Sequence, residues 1–383
     1  MRPKPYHCMQ HTLLSLVFLA FLNIPLNAQV AVGQWRDHLP YQNGLMVADA
    51  GDLIYYAGED GLFSFHKTNG DVTRLSKITG MSDVGYSAIA YSKANNTLVV
   101  AYKNTNIDLI QNNTIINIPD IRDKQIAGNK TINNIHLEGD YAYLACGFGI
   151  VVLDITKNEI RETYYIGNQG AAVNVLDISS SPTELFACTD GGMKRASKSG
   201  VNLADFSNWS FFPELPLAKF NTATFFNDML FVNLQGSTRD TTYYQSSNQW
   251  FQIDTAFPDR VIRLENSADR LLFMRQYSTV EYSPELERLR LVNDYYNGRS
   301  AYPSHAIAES NGFLWIADKV HGLIKYGEDL SVQAIGINGP TFTTSYNISA
   351  WDGRLYVASG AYTPTLATNL EKPVTIPTKM ING

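Results

Sequence analysis

Along most of this chain, short apolar runs alternate with short polar ones, and the same phrase keeps returning: an apolar strand ending in a small residue, a polar turn, a glycine and a second apolar strand. It appears as Leu53-Ile54-Tyr55-Tyr56-Ala57 before Gly61-Leu62-Phe63, as Ala142-Tyr143-Leu144-Ala145 before Gly149-Ile150-Val151, and as Phe313-Leu314-Trp315-Ile316-Ala317 before Gly322-Leu323-Ile324. Gly61, Gly149, Gly192 and Gly322 lie near multiples of about 43 residues apart, the period of β-propeller blades.

The pattern predicts inner strands at Leu45–Ala48, Val84–Tyr91, Ile132–Leu137, Ala172–Ile178, Thr222–Phe226, Arg260–Leu264 and His305–Ala308, each followed by a second apolar strand. These runs are β-branched or aromatic and bounded by Gly, Asn or Asp, and a helical period is nearly absent. The expected fold is all-β, a seven-bladed propeller of four-stranded antiparallel blades over residues 29–340. An incomplete eighth repeat, or the start of a second propeller, is expected over 341–360, and an irregular tail over 361–383. A strand around Gly33–Arg36 would supply an outer strand to close the ring. The missing partners of the eighth repeat suggest a truncated form of something longer.

Residues 1–28 read as a signal peptide. Arg2 and Lys4 precede the apolar stretch Leu13–Leu22, and Ala28 offers a cut site before Gln29. The mature chain is therefore expected to leave the cytoplasm. Cys8 lies before the apolar stretch and is no lipid acceptor. Cys146 and Cys188 fall at matching places in neighbouring repeats, which usually sit too far apart for a bridge, and read as buried free thiols, with a disulfide as the alternative.

Charge narrows the partners. With 30 Lys and Arg against 36 Asp and Glu, the chain lacks the basic surface that nucleic acid requires. No catalytic constellation stands out, and neither enzyme activity nor a cofactor is expected. His38, His66, His136, His305 and His321 are scattered without metal-ligand spacing, and Gly147-Phe148-Gly149 and Gly191-Gly192 are turn glycines between strands. Ser179-Ser180-Ser181-Pro182 lacks a nucleophile elbow and reads as a loop between strands.

Binding has better candidates. A propeller gathers the loops that precede its inner strands on one face, around the channel. Those loops present Gln42-Asn43, Ser82-Asp83, Asn129-Lys130-Thr131, Asn168-Gln169, Asp259-Arg260, Tyr302 with Ser304-His305, and Thr343-Thr344-Ser345. Asp83, Asn129, Lys130, Asn168 and Gln169 are the chosen ligand- or partner-binding residues, since amides, hydroxyls and a few charges suit a sugar or a polar protein surface. The same residue types also serve turns. The aromatic sets Trp209-Ser210-Phe211-Phe212, Tyr243-Tyr244 and Tyr295-Tyr296 read as packing between blades, with interface use as the alternative.

Several stretches resemble a known family. Gln34-Trp35-Arg36-Asp37-His38-Leu39-Pro40-Tyr41, Leu75-Ser76-Lys77-Ile78-Thr79-Gly80-Met81-Ser82-Asp83-Val84, Asn106-Ile107-Asp108-Leu109-Ile110, Cys146-Gly147-Phe148-Gly149-Ile150-Val151-Val152-Leu153-Asp154 and Tyr164-Tyr165-Ile166-Gly167 resemble the N-terminal propeller of the PorZ family, accessory proteins of the type IX secretion system of Bacteroidetes. The resemblance implies a non-catalytic interaction platform within a longer protein of two propellers and a C-terminal sorting domain. It implies a cell-surface attachment complex with the sortase PorU and the barrels PorV and PorQ, and a link to anionic lipopolysaccharide. The phrase Gly80-Met81-Ser82-Asp83 also resembles the sensor propellers of two-component regulators, so a periplasmic ligand-sensing propeller is the rival reading. A lyase or hydrolase working from a propeller face comes third.

Overall fold

In the computed structural model the described residues are 37, 39–253, 259–295 and 298–337, with further strand segments between 345 and 376. Seven four-stranded antiparallel sheets follow one another in sequence, each formed by four consecutive strands. Their inner strands are Gly44–Ala50, Tyr86–Ser92, Ile132–Glu138, Val175–Ser180, Phe220–Phe226, Val261–Ser267 and Pro303–Ala308, here blades 1 to 7. Each inner strand packs on that of the next blade, and the inner strand of blade 7 packs on blade 1, so the ring is closed. The seven-bladed propeller read from the period is the fold observed.

Among the described residues each blade builds its fourth strand from its own sequence, Val332–Ile335 completing blade 7. The strand expected at Gly33–Arg36, and the signal peptide, lie outside the described residues. Beyond the ring, Ser345–Trp351 pairs antiparallel with Arg354–Ser359, which also pairs with Val374–Ile376.

In most blades burial peaks in the middle strands and falls toward the rim, the channel-lining inner strands being only partly covered. Second and third strands such as Thr97–Tyr102, Gly149–Asp154 and Leu314–Asp318 are buried at every position because both sheet faces meet a neighbouring blade. Outer strands such as Val72–Leu75 and Gln249–Gln252 are largely open to solvent and carry more polar residues. The recurring glycine opens the third strand because no other residue fits: at Gly149 (φ +151°) a Cβ would come within 2.3 Å of the Tyr164 carbonyl oxygen. Blades 1 to 3 share one apolar cluster, including Ala57, Ile89, Val100, Leu144 and Val151. Cys146 and Cys188 are buried free thiols, and burial raises both pKa values. Trp209, Phe212 and Tyr295 are buried in the packing. No helix among the described residues is long and apolar enough to cross a membrane.

Every inner strand carries an irregularity in its pairing with the second strand, one residue inside its start. It falls between Gly44 and Met46, Tyr86 and Ala88, Ile132 and Asn134, Val175 and Asp177, Phe220 and Thr222, Val261 and Arg263, and Pro303 and His305. A bulge turns the next side chain out of the ladder and frees a backbone N–H. Repeated seven times, it sets the polar chemistry of the channel.

Candidate functional site

The residues that follow the bulges form a ring: Met46, Ala88, Asn134, Asp177, Thr222, Arg263 and His305. Four of them accept from the freed N–H of the next blade. His305 Nδ1 takes Val47 N–H (3.3 Å), Met46 Sδ takes Ile89 N–H (3.4 Å), Asp177 Oδ2 takes Ala223 N–H (3.1 Å) and Thr222 Oγ1 takes Leu264 N–H (3.0 Å). Asp177, 4% exposed, collects three further donors: Asn134 Nδ2 at 2.5 Å, Thr222 Oγ1 at 2.7 Å and Ile178 N–H at 2.8 Å. Arg263 crosses the ring from blade 6 to blade 3, donating from Nη1 to Asn134 Oδ1 at 2.8 Å. Blades 3, 4, 5 and 6 are thereby tied in a closed polar circuit.

Above this circuit, where the inner strands end, lies a cavity of about 580 Å³. Asn134, Asp177 and His305 reach its floor, and its rim carries Asp49, Lys67, Lys93 and Glu309. Lys67 bridges Asp49 (2.5 Å) and Glu309, while Lys93 pairs with Asp49 (2.7 Å). Within the wall His136 Nε2 meets Ser180 Oγ at 2.9 Å. No carboxylate hydrogen-bonds the other His136 nitrogen among the described residues, and burial lowers the His136 pKa, so the pair lacks the orienting acid of a nucleophilic triad.

His305 ties three blades. Its Nδ1 accepts from blade 1, so Nε2 carries the proton and donates to Glu265 of blade 6 at 3.2 Å. Burial lowers the His305 pKa, outweighing the opposing pull of Glu265. Protonation would turn Nδ1 into a second donor facing the Val47 N–H. Because the folded state resists a proton that the unfolded chain accepts near its ordinary pKa of about 6.5, this stability is present above that pH and is lost below it. Urea unfolding between pH 8 and pH 5, above the range where carboxylates protonate, is expected to show falling stability toward pH 5. The slope should be shallower in His305→Asn, and a flat wild-type profile would contradict the assignment.

The five chosen binding residues lie at the other end of the channel, before their inner strands begin. Asp83 is half-buried, accepts from Asn104 (2.8 Å) and Asn106 (2.9 Å), and sits 3.6 Å from Lys77 and 3.7 Å from Arg122. The Asn104 and Asn106 bonds and the two cations hold its carboxyl below the usual range, against the opposing effect of burial. Lys130 Nζ donates to the carbonyls of Ile121 (3.0 Å), Arg122 (2.7 Å) and Lys124 (3.1 Å), closing the end of the short helix Asp120–Asp123. Arg122 thus brings Asp83 and Lys130 together. Asn129 accepts from Thr131 N–H (3.0 Å) and Oγ1 (2.6 Å) in a turn. Asn168 and Gln169 lie one blade on, exposed in a 3-10 turn, and their side chains make no hydrogen bond among the described residues.

Sequence reasoning missed the cavity wall. Ser179 and Ser180 belong to the inner strand Val175–Ser180 rather than to a loop, and Ser304 and His305 lie inside the strand Pro303–Ala308. Polar residues recurring about 43 apart at Asn134, Asp177, Thr222, Arg263 and His305 were the available signal. Among the described residues no group of three His, Cys, Asp or Glu side chains is placed to hold a metal ion.

The comparisons with known proteins agree with this architecture. Residues 54–210 match the family model of the type IX secretion PorZ N-terminal β-propeller domain. Among solved structures, PorZ, an essential bacterial surface component of the type IX secretion system of Porphyromonas gingivalis, is similar with a TM-score of 0.73 and 22% identity, covering 86% of this chain. The chain spans 43% of the length of that PorZ chain. The propeller domain of Cps50 (Swd1) from Myceliophteria thermophila has a TM-score of 0.56 at 11% identity, covering 78% of this chain and 99% of its own. The WD40 propeller of Doa1 has 0.57 at 10%, covering 76% and 93%. No curated protein matches.

Proposed function

We propose, from the match of residues 54–210 to the family model of the PorZ N-terminal β-propeller domain, that this protein serves type IX secretion in the cell envelope as a non-catalytic binding platform. The family match is the observation that carries the reading, and the fold likeness to PorZ supports it. The partners would be those of an attachment complex: a PorU-like sortase, PorV- and PorQ-like barrels, and anionic lipopolysaccharide. The geometry favours contact over catalysis. The loops before the inner strands offer separate polar groups to a broad partner, and most of the charges among them are already paired within the chain.

Asn168 and Gln169 are the cleanest probes of that face, since neither side chain supports the fold through a hydrogen bond among the described residues. Binding of the purified chain to each attachment-complex protein and to lipopolysaccharide from the same bacterium, measured by biolayer interferometry, is expected to give saturable affinity for at least one of them. Asn168→Ala with Gln169→Ala should weaken it about fivefold with an unchanged melt, the scale of one or two lost hydrogen bonds. Absence of affinity for every one of these partners would contradict the reading.

A further inference from the structure

Two residues beyond each bulge lies a second ring: Ala48, Ala90, His136, Ser179, Thr224, Glu265 and Ile307, every member lining the cavity. Its chemistry is segregated. His136, Ser179, Thr224 and Glu265 form a polar arc on blades 3 to 6, facing an apolar arc of Ile307, Ala48 and Ala90 on blades 7, 1 and 2. Ser179 and Thr224 are only 4% and 6% exposed. Their hydroxyls make no hydrogen bond among the described residues, yet neither is sealed away from solvent, so both open into the cavity. A buried hydroxyl left without a partner is costly, and water or a ligand must satisfy it.

We propose that this cavity binds one neutral sugar ring, or a comparable cyclic polyol, edge-on to the polar arc. A pyranose carries hydroxyls on its edge and C–H groups on its faces, which matches a wall that is polar on one side and apolar on the other. Ser179 and Thr224 each supply a donor and an acceptor, and Glu265 an acceptor, for neighbouring hydroxyls. The volume of about 580 Å³ lies within the usual range of small-molecule sites, roughly 300–1,000 Å³. Charge selects against an anion. The wall holds four carboxylates (Asp49, Asp177, Glu265, Glu309) against two ammonium groups, and both lysines are engaged by Asp49, Lys67 also by Glu309. Arg263, beneath the floor, is directed to Asn134. The site stands at the opposite end of the channel from the five loop residues, and the proposal does not rest on the type IX reading.

Saturation-transfer NMR of the intact chain with methyl β-D-glucopyranoside, methyl α-D-mannopyranoside and methyl β-D-galactopyranoside tests it, with sodium glucuronate observed directly and inorganic phosphate, which carries no C–H proton, read by its competition against the bound glycoside. At least one neutral glycoside is expected to bind, with both anions at least tenfold weaker. Ser179→Ala with Thr224→Ala should lower the affinity for that glycoside at least fivefold in a protein whose melt still shows a cooperative transition. Ala90→Leu, which fills the apolar arc, should abolish binding. No binding of any neutral glycoside, equal or tighter binding of either anion, or unchanged affinity in Ser179→Ala/Thr224→Ala would overturn the proposal. Loss of binding to attachment-complex partners would leave these outcomes unaffected, so the two readings fail separately.

Discussion

Leu144→Asp is expected to unfold the propeller at ordinary temperature. Leu144 is 0% exposed, paired in register with Ile135 and Val151, inside the apolar cluster shared by blades 1 to 3. A carboxylate there would have neither water nor a cation, and burying it costs on the order of several kcal/mol against a domain stability of roughly 5–15 kcal/mol. Because blades 1 to 3 share this cluster, damage in blade 3 should propagate around the ring. Circular dichroism melts are expected to show loss of the cooperative transition, or a midpoint far below wild type. Coincident melts would place Leu144 outside the core.

Asp177→Ala should produce the second large loss, by a different route. One carboxylate accepts from Asn134, Thr222, Ala223 and Ile178, joining blades 3, 4 and 5. Removing it strands four donors in a channel wall, each worth about 1–3 kcal/mol if left unsatisfied, though neighbouring losses do not add. We expect a total of about 3–5 kcal/mol in urea unfolding, in the range seen when one partner of a buried charged network is removed. Asp177→Asn keeps one acceptor and the shape, and should lose less. Equal stability of Asp177→Ala and wild type would mean that the circuit does not hold the ring.

The strands nearest the axis were readable because both faces of each sheet are buried, which leaves apolar runs such as Leu98–Tyr102 and Leu314–Ala317 between turn residues. Outer strands such as Glu159–Tyr164 face solvent on one side, so no apolar run marks them in the sequence. The cavity was hidden for another reason. Its polar groups sit inside inner strands, at register positions set by the bulges, so Ser179 resembled the loop that follows it and Asp177 sat unremarked between Leu176 and Ile178. Attention fell instead on the loops before the inner strands, where Asn129 and Lys130 are engaged in a turn and a helix end. A repeat shows which residues are equivalent, but only the bulge shows which way they point.

Cargo processing in the native bacterium tests the central claim most directly. If the chain is a platform of type IX secretion, deleting its gene should leave type IX cargo unprocessed in the periplasm, and supplying the intact gene should restore processed cargo at the cell surface. Normal surface cargo in the deletion strain would contradict the account.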